Sequence, residues 1–126
     1  MSTPAIVPAS TKQILKAWYA EQMIDATPVL HGSFLGWLFG RFNQHAVTIN
    51  GTVHLTSKAD ALDSPEGVVL LGHEYYHVVQ RGEMGWWSFL ARYLWGWRPS
   101  HVRDGRKHPL EAPAYARGDE VRRAIQ

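Results

Sequence analysis

A chain of 126 residues with 45% hydrophobic, 19% charged and 12% aromatic side chains has the arithmetic of a single small globular domain and excludes a disordered tail. It has no cysteine, which excludes disulfides, a thiol nucleophile and a cysteine-type zinc knuckle, so any metal site must draw on His, Asp or Glu. The net charge of +2 is too mild for nucleic acid as the main partner, although residues 81–126 hold nine of the 13 Lys and Arg against five acids, a basic rim on the C-terminal third.

Met1 to Lys12 has neither a basic nor an apolar signal region, and no run of 18 apolar residues occurs. A cytoplasmic protein, or one exported by a non-classical route, is expected. The reading is one domain over residues 1–126, with residues 1–9 flexible.

In chain order, Ser10 and Gln13 have the spacing of a capping box, and Ile14, Leu15, Trp18 and Tyr19 fall on one stripe, predicting a first helix to about Ile24. Pro28 to Phe42, punctuated by glycine and rich in aromatics, predicts a short helix packed on the core. From His45 to Ser57 the pattern is strand, with Asn50-Gly51 between two β-branched runs. A two-residue turn there would set Val47 across from His54 and put apolar rows on opposite faces. A three-residue turn, Ile49 to Gly51 with a bulge, sets Val47 across from Val53 and is therefore expected.

Ser64-Pro65-Glu66 has helix-start chemistry and Gly82 is a natural stop, so residues 65–81 are predicted as one central helix. Another helix is expected from about Trp86 to Trp97, with apolar residues at 86, 89, 90, 93, 94 and 97. Core packing of Trp86, Phe89, Leu90, Tyr93 and Leu94 beneath the site is the plainer role for this stripe. Membrane-surface contact through residues 86–97 is the alternative, given Arg92, Arg98 and Arg103 nearby. The tail from about Leu110 reads as a last helix.

The central helix carries His73-Glu74-Tyr75-Tyr76-His77. Histidines four apart lie on one helical face, so both imidazoles can converge on one zinc ion with Glu74 beside it. By composition alone such a pattern arises in a chain like this about one time in fifty. A catalytic zinc needs a third protein ligand and an open position for water. Gln80 and Glu83 stand where the metzincin extension needs Gly and His, which excludes that class. Asp60, Asp63 and Glu66 would have to fold back. His101, His108 and Glu111 remain, and Glu111 has the best context because Ala114 and Tyr115 follow at helical spacing. Gln80, seven residues past His73, returns to the metal face and can support a ligand. His31, His45 and His54 read as satisfied polar or surface residues.

Residues 46–55 (AVTINGTVHL), 70–80 (LLGHEYYHVVQ) and 108–115 (HPLEAPAY) together resemble the small bacterial zincins of gluzincin type. These include the minigluzincins and the metallopeptidase domain found in extracellular contractile injection system loci, and the resemblance spans about residues 45–118. It implies an α+β, minimal zincin-like domain, a small sheet or ribbon with about four helices around a central active-site helix. It implies that His73 and His77 bind Zn2+, that Glu111 is the third ligand and that Glu74 is the general base. Pro113 departs from the family pattern and requires Glu111 to sit at or just before its helix's start.

The resulting expectation is a zinc-dependent endopeptidase acting on a peptide or protein substrate, with zinc-activated water attacking the carbonyl and Glu74 taking the proton. Tyr115, one turn beyond Glu111, is the first candidate to stabilise the oxyanion, with His101 and Arg103 behind it. The ribbon of residues 45–57 is expected to receive an extended substrate by strand addition. The alternative is a catalytically weak or inactive module of the same fold that docks a partner protein or a membrane surface.

Overall fold

The structure is a computed structural model that describes residues 2–41, 44–85 and 110–125. The expected helix over residues 86–97, its packing, and His101, Arg103 and His108 lie outside the described residues. The described elements run β1 (Thr3–Pro4), α1 (Ala9–Leu15), α2 (Glu21–Ala26), β2 (Val29–His31), α3 (Phe34–Gly40), β3 (Ala46–Ile49), β4 (Thr52–Leu55), α4 (Pro65–Met84) and α5 (Glu111–Ile125). The fold is α+β, a four-stranded mixed sheet with five helices among the described residues. Sheet order is β1-β2-β4-β3, with β2 parallel to β4 and the other two pairs antiparallel.

The first helix is broken where one helix to about Ile24 is expected. Leu15 and Ile24 are nine residues apart and would face opposite sides of a continuous helix, yet both are buried in one core. Interrupting the helix after Leu15 turns both inward, and the Tyr19 hydroxyl between them donates to the Gly72 carbonyl on α4. The capping box is absent too. Pro8 occupies the N-cap, without a side-chain cap bond, and Ser10 lies inside α1.

The hairpin turn also differs from expectation. Val47 pairs with His54 and Thr48 with Val53, so Asn50 and Gly51 form a two-residue turn with φ of 51° and 77°. The three-residue alternative assumed that only one face of the ribbon is covered. In fact α4 packs on the face of Ala46, Val53 and Leu55, while α3 covers the other. There His54 is buried with Nδ1 2.8 Å from the Ser33 hydroxyl, and Gly36 comes so near β4 that an added Cβ would stand 2.5 Å from the Leu55 carbonyl oxygen. α3 is the short helix expected before the strands, but β2 precedes it, and its Phe34 and Trp37 point outward, 69% and 56% exposed.

α4 starts as the sequence predicts, with the Ser64 side chain accepting from the Gly67 amide and Pro65 at the first position. It ends three residues later than expected. The stop is Gly85 at φ 80°, and Gly82 lies within the helix. An added Cβ on Gly67 would fall 2.0 Å from the Ala61 carbonyl oxygen, whereas one on Gly82 meets nothing within 4 Å. Gly67→Ala is therefore expected to cost about 1–3 kcal/mol, and Gly82→Ala to add up to about 1 kcal/mol, both read from urea unfolding midpoints.

Candidate metal centre

α4 packs against β3, β4, α1 and α5. α5 runs antiparallel to it: Leu110 lies beside Gln80, Glu111 beside His77, and Gly118 beside Val69 and His73. Gly72 permits this approach, since a Cβ there would come within 2.9 Å of Val121. Close packing of the two helices delivers a carboxylate from one to a pair of imidazoles on the other, 34 and 38 residues away in the chain.

Glu111 is the first residue of α5 and buried, which leaves Pro113 in the first turn, where a missing amide costs nothing. One of its oxygens, Oε1, is 3.1 Å from His73 Nε2 and 2.5 Å from His77 Nε2. The other nitrogen of His77, Nδ1, is 2.9 Å from Gln80 Oε1, and Gln80 in turn donates through Nε2 to the Leu110 carbonyl at 2.8 Å. Gln80 thus orients the His77 ring and ties it to the backbone just before Glu111, the supporting role the sequence suggests. Glu74, buried, lies one residue on, with Oε2 3.8 Å from His73 Nε2.

By distance alone, donor atoms of His73, Glu74 and His77 lie within 4.8 Å of one another and form a group able to hold a metal ion. Bonding sorts the two carboxylates. Glu111 contacts both imidazole Nε2 atoms, whereas Glu74 is held on Oε1 by the Thr48 hydroxyl at 2.9 Å. Both imidazole Nε2 atoms approach the same Glu111 oxygen, so His73, His77 and Glu111 could together hold one ion. Two imidazoles, His73 half-buried and His77 buried with Gln80 behind it, and the buried Glu111 carboxylate are a donor set that zinc accepts.

Burial pushes the His77 imidazole down, but the bonded Glu111 carboxylate outweighs it, with Glu74 and Gln80 adding, and holds it at about 9. Burial pushes Glu111 up, and hydrogen bonds from His73 and His77 reverse this, holding it well below the usual carboxylate range. In metal-stripped protein, His77 contributes stability in full below pH 6.5 and loses it as pH rises through about 9. Glu111 contributes above pH 4.5 and loses it as pH falls. Chelator-treated protein is expected to melt highest between pH 4.5 and 6.5 and progressively lower toward pH 9, a decline that Glu111→Gln should flatten in differential scanning calorimetry.

Tyr115 is one turn past Glu111 and half-buried, its ring set edge-on to His73 with centroids 4.5 Å apart. It borders a cleft of about 450 Å³ that His73 and Glu74 also line, between the start of β3 and the two long helices. Asp60 and Glu66 line the same cleft, and Asp60 lies 3.9 Å from His45 Nδ1. The structure thus brings together His73, Glu74, His77, Glu111 and Tyr115. Thr48 is the residue sequence reading missed at this site. Its signal was the parity of the two-residue turn, which places it on the face toward α4.

A family model, that of the eCIS core domain, matches residues 7–85 of the chain. No curated protein and no solved structure matches it.

Proposed function

The chain belongs to the eCIS core domain family, which associates it with extracellular contractile injection systems, and from that premise and the site geometry we propose that it is a zinc-dependent endopeptidase of the gluzincin kind. The observation that carries this reading is the meeting of Glu111 with His73 and His77, beside an open cleft that His73 and Glu74 line. The family match bears on the assembly the protein serves and not on hydrolysis.

His73, His77 and Glu111 would hold the ion. When bound, zinc supplies a water acidic enough to lose its proton near neutral pH and polarises a carbonyl. Glu74 takes the proton through Oε2, the oxygen that Thr48 leaves free, and returns it to the leaving amine. Tyr115, at the cleft wall, would donate to the oxygen on which charge develops. β3 is an edge of the described sheet, and its backbone can pair with an extended peptide entering the cleft. Zinc-loaded protein should cleave a denatured protein or a peptide library and stop doing so after chelation.

A second reading, a module of this fold that docks another component of an injection system, is favoured by α3. Phe34 and Trp37 are exposed, with ring centroids 5.8 Å apart and the Arg41 guanidinium 5.3 Å from the Trp37 ring centre, on the sheet face away from α4. No cleavage at full zinc occupancy, together with loss of co-sedimentation with injection particles in Trp37→Ala, would select that reading. Among the described residues no helix is long and apolar enough to cross a membrane.

A further inference from the structure

We infer that Thr48 is a positioning residue that couples substrate seated on the edge of β3 to the carboxylate of Glu74, an inference that rests on the peptidase reading of the site. The Thr48 hydroxyl lies 2.9 Å from Glu74 Oε1 and 3.3 Å from the Glu74 carbonyl oxygen. A hydroxyl has one proton, and the shorter, charge-assisted contact takes it. Among the described residues, no other side chain hydrogen-bonds this carboxylate. Oε1 is therefore tethered and Oε2 faces the imidazole of His73, 3.8 Å away. A buried carboxylate with one oxygen fixed presents the other in one orientation, which proton transfer requires.

The backbone of the same residue faces the other way. In a hairpin with a two-residue turn the flanking pair, Ile49 and Thr52, is hydrogen-bonded and pairs then alternate. The Thr56 amide donating to the His45 carbonyl at 3.0 Å fits that alternation. Thr48 and Val53 consequently form a non-hydrogen-bonded pair, and the Thr48 amide and carbonyl point to the open side of the edge strand. A peptide pairing along β3 would bond the backbone of the residue whose side chain holds the base. One rigid, β-branched residue would thus both seat the substrate through its backbone and aim Glu74 through its side chain.

The test uses Thr48→Val, which keeps the branched shape and removes the donor, and Thr48→Ser, which keeps the donor. Turnover and KM on a peptide the parent cleaves would be measured with zinc content and melting temperature. Thr48→Val should lower kcat at least about tenfold with KM within about twofold, and Thr48→Ser should recover kcat to within about threefold, all at parental zinc content. A Thr48→Val kcat within twofold of the parent, or equal losses in both variants, overturns the inference while leaving the peptidase reading intact. A parent that cleaves nothing at full zinc occupancy overturns both. A stability cycle reads the contact without turnover. Thr48→Val should lower the melting temperature by several degrees in the parent and by less than about one degree in a Glu74→Met background, and equal shifts in the two would overturn it.

Discussion

Glu74→Gln is expected to reduce peptide hydrolysis at least about 10²-fold while zinc content stays at the parental level. Glutamine keeps the length of the side chain and can still accept from the Thr48 hydroxyl, so the cleft and its packing persist. What it loses is the ability to take a proton. The retained metal is as informative as the lost rate. Glu74 lies near enough to His73 to be grouped with the two histidines by distance, and a variant that lost zinc would make it a ligand and return the role of base to another group.

The second large effect belongs to Glu111. Its carboxylate is the acceptor shared by His73 and His77, and truncation to alanine leaves two imidazoles with no third donor from α5. Zinc affinity should fall more than about 10²-fold, beyond the 10–100-fold typical of groups that only brace a ligand. Gln80→Leu, which frees the His77 ring and the Leu110 carbonyl, should stay inside that smaller range. Competition against a chromophoric chelator measures both variants. If Glu111→Ala binds zinc as the parent does, the third ligand is another residue, and His101 and His108 become the candidates.

The candidate site's residues were legible because their signals are local. Two histidines four apart in a capped helix need only helical geometry to share a face, and a glutamate at the first position of a helix needs only the start to be recognised. The misreadings arose where tertiary packing decides. The break after Leu15 follows from where Ile24 must point, which no local pattern carries. The hairpin register depended on whether a second layer covers the ribbon. α3 supplies that layer, with Ser33 receiving His54 on a face that a one-sided sheet would leave wet. Thr48 was hidden by the same error, since the three-residue turn sets it out of register with Val53.

Elemental analysis of the purified chain after dialysis against zinc, compared with the His73→Ala/His77→Ala double variant, tests the central claim most directly. The geometry predicts one zinc per chain in the parent and none above background in the variant, with the far-ultraviolet circular dichroism of the two unchanged. A parent without zinc, or a variant that retains it, would contradict the metal centre and the chemistry derived from it.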